Sequence, residues 1–473
     1  MTFYFYDLET SGRSPQAQRI MQFAGQRTDE DLNPIGEPFV RFIKLSDDII
    51  PEPEAILLTG ITPQQTLAEG ISEPEFLDEF EQEVLQPGTC IVGYNNIRFD
   101  DEFMRFTLWR NFYDAYEWQW KDERCRWDML DVVRMTRALR PDGINWPTND
   151  DGSPVNKLTE ITAGNGLDHE NAHDALSDVQ ATIDVARLIK EKQPDLFKYM
   201  YEHSSKKAVQ ELLNVDAPQP VLHTSGMLAP EFINTSAMLP LFADRKVATK
   251  IICWDLRHNP ADFADLSVDE LEKRLFTRQS ELGDKVRLPV KAISTNKSPA
   301  IAPIAILNKA GADSRIALTV DQILAAREAF RQQKSFIAKL YDAWHQSPQP
   351  DYNDADSEAS LYSGGFLTDQ DKYASLQVRQ KRGDLASFKP DFQDKRLSEL
   401  YFRYRARNYP NTLSEEEHEQ WEAFRRQKLL SPAGLQQFGT ELQQLMATKT
   451  DAKSQSLITD LQLYGESIVP IAD

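Results

Sequence analysis

The 473-residue chain has only three cysteines, Cys90, Cys125 and Cys253, far apart and odd in number. Neither a disulfide framework nor a cysteine zinc site is expected from them, and they read as buried thiols in a reducing compartment. No stretch approaches the roughly 18 apolar residues of a membrane span, and the N-terminus enters a strand-like segment without a basic and apolar leader. The expectation is a soluble, unexported, cytoplasmic protein with no membrane role. Positive charge is also short: 53 Lys and Arg face 74 Asp and Glu, for a formal net charge of −21. That balance counts against wide, non-specific coating of nucleic acid, because phosphate contacts come from cations. There is no internal repeat. Against these absences stand 41% apolar residues, enough for real cores, and a length that suggests about three domains.

What the chain does carry is acid at particular places. Asp7 and Glu9 lie two apart in FYFYDLET, and side chains two apart on a strand leave the same face. Taken alone, a D-x-E pair reads as a solvated strand edge. Here it follows Phe3, Tyr4, Phe5 and Tyr6, which should form a buried central strand, where two carboxylates are costly unless a metal or a partner compensates them. At Thr10, Ser11 and Gly12 the strand turns away, leaving the acids at a mouth of the kind where open α/β sheets bind ligands. Hard divalent cations such as Mg²⁺ take oxygen ligands, so the pair wants further acids from elsewhere in the fold. Asp100 and Asp178 are the candidates.

Asp100 follows a strand-and-turn segment, TCIVGYNNIRF, and opens DDEFMRFTLWRNF, whose Phe103, Phe106 and Trp109 spacing predicts a helix. Asp101 beside it is the natural helix cap, which leaves Asp100 for metal. His173 lies five before Asp178 in NAHDALSD, at the entrance of a helix-periodic segment through Val179, Ile183, Ala186 and Ile189. A lone histidine is more often a structural hydrogen bonder; its place near an acid at a helix entrance is what singles this one out.

The wider pattern predicts three regions. Up to about residue 190, strand-like runs (Phe3 to Tyr6, Pro38 to Leu45, Cys90 to Tyr94) alternate with helical ones (Glu73 to Val84, Asp128 to Leu139, His173 to Lys190), the mark of an α/β sheet flanked by helices. From about 195 to 346 comes a mixed region with strands in VATKIICWDL and RLPVKAI and a helix from Thr319 to Ala343. His345 to Ser360 is polar, acidic and Pro-bearing, so a surface linker is expected. Beyond it the chain turns helical, with Ser414 and Glu417 in capping-box positions. Arg403, Arg405 and Arg407 interleave with Tyr401, Phe402 and Tyr404, a run that either faces phosphates or forms a solvated helix face.

In this order and span, D-x-E, N-x-x-x-F-D and H-x-x-x-x-D resemble the DEDD superfamily of 3′→5′ exonucleases in its histidine-containing branch. Within it the chain is similar to the bacterial exonuclease I family of single-strand-specific deoxyribonucleases. The closer match is carried by FYFYDLETSG, IMQFAGQRTD, LLTGITPQ, GYNNIRFDDEFMR, RNFYDAYEWQW, RWDMLDVVR, ALRPDGINWP and NAHDALSDVQATI, then by HTSGM, LYSGGF and FRYRARNYP. It runs along nearly the whole chain, densest in the first 190 residues. Two positions depart from the family pattern: Ser11 stands where an aromatic follows the Thr of the first motif, and Lys157 stands where an arginine is expected near the substrate phosphate. Lysine keeps the charge but loses the bidentate fork.

The resemblance implies an RNase H-like α/β exonuclease domain over 1–190, an α+β domain with an SH3-like barrel over 195–346, and a mostly helical domain over 350–473. It implies processive 3′→5′ degradation of single-stranded DNA to 5′-mononucleotides in DNA repair and recombination, with two Mg²⁺ ions for which Mn²⁺ substitutes. Asp7, Glu9, Asp178 and Asp100 would be the metal ligands. His173 would orient or deprotonate the attacking water, and Glu9 and Lys157 would touch substrate. Arg105, Tyr116, Trp120 and Arg134 would line the DNA path; without the resemblance, Tyr116 and Trp120, four apart, read as a packed helix stripe. A monomer is expected, recruited by the C-terminal tail of the single-stranded-DNA-binding protein. Other readings are a related exoribonuclease, a proofreading exonuclease, a single-strand-binding protein that has lost catalysis, or a site for structural metal.

Overall fold

The computed structural model describes residues 2–169, 173–346 and 356–470, which fall into two compact units. One unit gathers Met1–Cys125, Glu170–Gln180 and Asp351–Asp473; the other gathers Arg126–His169 and Ala181–Pro350.

The first unit is built around β1 (Thr2–Thr10). Its flanking strands are β2 (Ile20–Thr28), β3 (Pro34–Phe42) and β4 (Thr89–Gly93), in sheet order β3-β2-β1-β4, and β5 (Cys125–Asp128) begins at the unit's boundary residue. β1 runs antiparallel to β2 and parallel to β4. The α/β, RNase H-like sheet expected for the N-terminal region is present. Alternation along β1 explains its central place. Tyr4, Tyr6 and Leu8 point into a core with Phe23, Phe76, Phe80 and Phe103, while Phe3 and Phe5 are buried on the other face. Fully burying one such side chain contributes about 1.5–3 kcal/mol.

The ladder to β4 ends at Phe5 opposite Val92, yet β1 continues to Thr10 paired with β2, with an irregularity between Glu9 and Thr10. Past Val92 the chain peels off through Gly93 and a left-handed Asn95 (φ 67°) into the helix Asp100–Arg110. Gly93 is required there, because a Cβ would lie 2.6 Å from that of Asn96 and 3.0 Å from the Tyr6 carbonyl oxygen.

The C-terminal segment of this unit is helical, as expected: Asp369–Gln380, Lys395–Asn408, Glu415–Leu429, Leu435–Thr448 and Ala452–Ser467. The Ser414/Glu417 capping box is formed. Leu397, Leu400, Tyr401 and Tyr404 make an apolar stripe that packs on Phe106, Trp109 and Phe112 of the N-terminal region. The Phe112 and Tyr404 rings meet edge-on at 5.3 Å.

The arginines of FRYRARN correct the expectation of a phosphate-facing or solvated run. Arg403 and Arg405 are buried, and the Arg407 side chain is 7% exposed. Arg407 donates to both oxygens of the fully buried Asp48 (2.9 and 2.8 Å) and pairs with Glu358. Asp48 also takes Lys428 at 2.8 Å, and Glu358 takes Arg19 at 2.7 Å. Arg403 holds Asp356 and Glu399, and Arg405 forks onto Glu417. Guanidinium forks that are needed inside the protein are withdrawn from solvent. The same cluster corrects the linker. Residues 347–355 lie outside the described residues, but Ser357, Glu358 and Ser360 are buried, with Glu358 in ion-pair contact with three guanidiniums.

The second unit holds an antiparallel five-stranded sheet. Its strands are β6 (Val221–Thr224), β7 (Thr235–Ala243), β8 (Lys250–Asp255), β9 (Val290–Ser294) and β10 (Ala300–Pro303), in order β10-β6-β7-β8-β9. The single helix expected from Thr319 to Ala343 is two, Val320–Arg331 and Lys334–Gln346. In a continuous helix Phe330 and Phe336 would project about 120° apart. The break lets both rings reach Trp254, at 5.3 and 5.4 Å. No helix among the described residues is long and apolar enough to cross a membrane. The cysteines, distant in sequence, are not all distant in space: burial, with the Cys125 side chain beside it, pushes the Cys90 thiol well up.

Burial alone would raise Asp48, but Arg407 and Lys428 outweigh it and hold the carboxyl well below its usual range. Its stabilising contribution is therefore present above the ordinary carboxylate pKa and is lost only in strong acid. Asp48→Ala removes the carboxylate that Arg407 and Lys428 share, leaving Arg407 only Glu358, so we expect a loss of about 3–5 kcal/mol at neutral pH. The shift in urea midpoint measures it; a change under about 1 kcal/mol would mean that the cations re-pair or hydrate at no cost.

Candidate active site

The open end of β1 is where the acids converge. Asp7 and Glu9 follow Phe3 and Phe5 on one face of β1, beyond the point where β4 departs, so the strand cannot shield them from what lies at its end. Glu9 is 8% exposed and Asp7 is partly buried. Asp100, 4% exposed, is the first residue of the helix Asp100–Arg110. His173 sits exposed with a left-handed backbone (φ 68°) just before the helix Ala175–Lys192, in which Asp178 occupies the first turn. One ligand atom from each of Glu9, His173 and Asp178 lies within 4.8 Å of the others.

The electrostatics follow from this crowding. Burial, then the charges of Asp100, Asp178 and Asp174, push the Asp7 carboxyl well above its usual range. Burial and the charges of Asp7, Asp178 and Asp174 push Glu9 up to about 9. Such groups share protons or a cation in place of standing fully ionised. Oxygen donors from three chain segments, with a histidine at the rim, are a donor set that fits hard divalent cations. Asp174 belongs to this group although sequence reasoning passed it over. It directly follows His173, and its carboxylate also accepts from the Ser177 N–H at 3.2 Å, capping the helix.

Asp101 does not cap its helix. It is fully buried, accepts from the Tyr6 hydroxyl at 2.6 Å, and lies 3.5 Å from Asn96 Nδ2. Burial, then Asp101 and Asp100, keep the Tyr6 phenol protonated and so a donor. The bond ties β1 to the start of the helix and fixes Asp100 relative to Asp7. The departure at Ser11 has a structural account: its hydroxyl donates to Gln18 Oε1 at 2.7 Å and accepts from the Arg19 N–H at 2.9 Å.

The residues expected to line the DNA path divide. Arg105 is buried, its guanidinium bonded to Glu102 (2.6 Å), Gln119 (2.9 Å) and the Tyr362 hydroxyl (3.2 Å), and stacked 5.7 Å from the Tyr116 ring centre. Arg110, another cation set among aromatics, is locked bidentately on Glu73. Trp120 is 62% exposed and follows a 3-10 turn, so it forms no packed helix stripe with Tyr116. In the second unit, Arg134 pairs with Asp131 at 2.9 Å and packs on Gly226 of HTSGM, where a Cβ would meet its guanidinium at 2.6 Å. Lys157 is exposed at the N-terminus of the short helix Leu158–Gly164.

Three family models cover most of the chain: Exonuclease over residues 4–186, Exonuclease I SH3-like domain over 204–346, and Exonuclease I C-terminal domain over 355–468. Exodeoxyribonuclease I of Escherichia coli strain K12 is 40% identical over 474 residues, 99% of this chain and 98% of that protein. A crystal structure of E. coli exonuclease I in complex with a dA16 oligonucleotide superposes with a TM-score of 0.94 at 39% identity, covering 99% of this chain and 100% of that one. A crystal structure of SSB/exonuclease I in complex with the inhibitor CFAM gives a TM-score of 0.90 at 38% identity, with 99% of each chain covered.

Carboxylates pushed upward make the stability they permit full below about pH 4 and lost as pH rises through their folded-state values, about 9 for Glu9. Asp7→Asn replaces a carboxyl that the fold holds back from ionising with a permanently neutral amide. In metal-free protein it should therefore raise the melting temperature by about 2–4 °C at pH 8 and leave it unchanged near pH 4. A melting curve at pH 8 that the substitution does not move would show that the carboxylates do not strain the metal-free fold.

Proposed function

The chain belongs to the exonuclease I family, and we propose that it is a processive 3′→5′ exonuclease that degrades single-stranded DNA to 5′-mononucleotides. The observation that carries the reading is the convergence of Glu9, His173 and Asp178 within 4.8 Å, with the charge of Asp100 close enough to Asp7 to help push its carboxyl upward. The work proposed for it is DNA repair and recombination in the bacterial cytoplasm, as a monomer. The proposed domains are the nuclease at 1–190, the SH3-like domain at 195–346 and the helical domain at 350–473.

Asp7, Glu9, Asp178 and Asp100 would hold two Mg²⁺ ions, with Mn²⁺ able to replace them. When bound, such ions neutralise the non-bridging phosphate oxygens and make water nucleophilic near neutral pH. The chain's own share is position and proton handling. The exposed ring of His173, at the rim of the acids, orients the attacking water and takes its proton, a task suited to imidazole near neutral pH. Glu9 borders the bound nucleotide, and the exposed ammonium of Lys157 holds a phosphate as a point charge. Tyr116, Trp120 and Arg134 line the strand's path. Arg105, its two terminal nitrogens held by Glu102, Tyr362 and Gln119, serves that path by fixing the Tyr116 ring.

A partner is part of the proposal. The acidic, Phe-ended tail of the single-stranded-DNA-binding protein would recruit this nuclease to coated strands, consistent with the SSB/exonuclease I structure it resembles. Pull-down with the tail peptide should retain the enzyme, and a peptide lacking the terminal Phe should not; equal retention removes the claim.

Labelled DNA and RNA with 3′ or 5′ ends, digested side by side in Mg²⁺, test the activity. Loss of 3′-terminal nucleotides from single-stranded DNA is expected; preference for RNA would favour an exoribonuclease, and binding without cleavage a lapsed enzyme. Asp7→Ala should reduce turnover more than 100-fold, and His173→Ala should lower kcat by about 10²- to 10⁴-fold with little change in KM. An unchanged kcat with a raised KM for His173→Ala would move that residue from the water to the substrate.

A further inference from the structure

Two of the three cysteines, separated by 34 residues in the chain, bring their sulfurs together in the first unit. Cys90 is fully buried in β4, where the ladder to β1 sets it opposite Phe3. Cys125 is partly buried, at the start of β5. The two side chains are hydrogen-bonded to each other, and that bond together with burial keeps the proton on Cys90. Both are thiols in this structure.

The backbone on each side is held where the sulfurs meet. Gly88, two residues before Cys90 and left-handed (φ 69°), donates its N–H to the Asp122 carbonyl oxygen at 2.9 Å. Arg124, the residue before Cys125, reaches the other way: its Nη1 donates to the Leu85 carbonyl oxygen at 2.9 Å and its Nε to that of Trp118 at 3.0 Å. Asp122 and Glu123 are both left-handed (φ 54° and 61°), a conformation that residues other than glycine hold only where their surroundings impose it. On the Cys90 side, Arg27 donates to Thr89 Oγ1 at 2.9 Å. The meeting of the two sulfurs is therefore set by the fixed backbone on both sides.

We propose that Cys90 and Cys125 form an oxidation site, a dithiol that hydrogen peroxide converts to a disulfide. A disulfide needs Cα atoms about 4.4–6.8 Å apart with their Cβ atoms turned toward each other, and short side chains whose sulfurs already touch are placed for it. Cys125, the more accessible sulfur, attacks the peroxide first. An S–O bond forms as the O–O bond breaks, and the thiol proton leaves with the departing hydroxide as water. The Cys90 sulfur then attacks the sulfenic sulfur of Cys125; the S–O bond breaks, and the hydroxide leaves with the Cys90 proton as a second water. Two electrons pass from the sulfurs to the peroxide oxygens. The new bond closes a loop that contains the helix Asp100–Arg110, and with it Asp100. Closing that loop lowers the entropy of the unfolded chain and so favours the fold. A thiol reductant reopens the bond by exchange, so in a reducing compartment the pair rests as thiols. Cys253, buried in the other unit, serves as an internal control.

The test treats full-length protein with hydrogen peroxide in EDTA, which suppresses metal-driven oxidation, raising the peroxide until Cys253 begins to react. The protein is then denatured in excess alkylating agent and weighed whole and as peptides. Below that limit the chain should lose two hydrogens, with the Cys90 and Cys125 peptides joined and Cys253 alkylated, and dithiothreitol should reverse the change. Cys125→Ser should leave Cys90 alkylated. Cys90→Ala should stop at the sulfenic acid, which dimedone traps on Cys125; should that variant fail to fold, wild type and Cys125→Ser still decide the matter. The oxidised wild type should melt about 3–8 °C above the reduced form, and Cys125→Ser treated alike should not shift. The site is overturned if Cys90 and Cys125 are both still alkylated at the limit, if Cys125 goes on to sulfinic acid with no joined peptides, or if the bond links two separate chains. A bond that forms within the chain but lowers the melting temperature overturns it too, since the fold would then be strained by the link.

Discussion

Carboxylates that repel one another must be held together at the open end of β1, and much of the first unit answers that constraint. A strand edge exposed to water would let Asp7 and Glu9 swing apart. β1 is instead central, buried on both faces, with its register against β2 set by alternating aromatics. The Tyr6–Asp101 bond then locks the helix that delivers Asp100, and a left-handed turn at His173 delivers Asp178. The strain of the cluster is thus borne by neutral packing and by one buried acid that is not itself among the proposed ligands. Preorganisation of this kind lets a site meet cations without rebuilding itself.

The opposite charge is treated in the opposite way. Arginines that look available in sequence are paired one by one inside the protein: Arg19 and Arg407 on Glu358, Arg405 on Glu417, Arg110 on Glu73. Buried pairs of this kind add little over a well-packed apolar contact, but they punish any mispairing, because a misplaced helix would strand several ions at once. Their value is in fixing where the C-terminal helices lie on the N-terminal region. With these arginines turned inward, a chain of net charge −21 has fewer cations left to meet nucleic acid at its surface.

The acidic motif was legible because each part of it is local. Strand alternation places Asp7 with Glu9, and helix entry places His173 near Asp178, within a few residues of each. Asp174 was equally local and was passed over only because it adjoins a more conspicuous histidine. The arginines were misread because what decides them is not local: Arg407 finds Asp48 at a separation of 359 residues and Glu358 at 49. Periodicity reports that a side chain is polar, not whether its partner is water or a carboxylate from a distant segment. The same limit explains Asp101, whose helix-cap position is overridden by a hydroxyl 95 residues away. It also explains the broken helix after Arg331, where two phenylalanines had to reach one tryptophan.

The unit that contains the acids is assembled from Met1–Cys125, Glu170–Gln180 and Asp351–Asp473. During synthesis, the first of these pieces leaves the ribosome long before the last. Leu397, Tyr401 and Tyr404 must cover Phe106 and Trp109, and Lys428 must reach Asp48, before the unit's core and its ion cluster are closed. A nascent chain that has made all of its clustered acids is still an open half-structure with exposed aromatic surface. The order of the sequence itself delays the finished blade until the final helices are made.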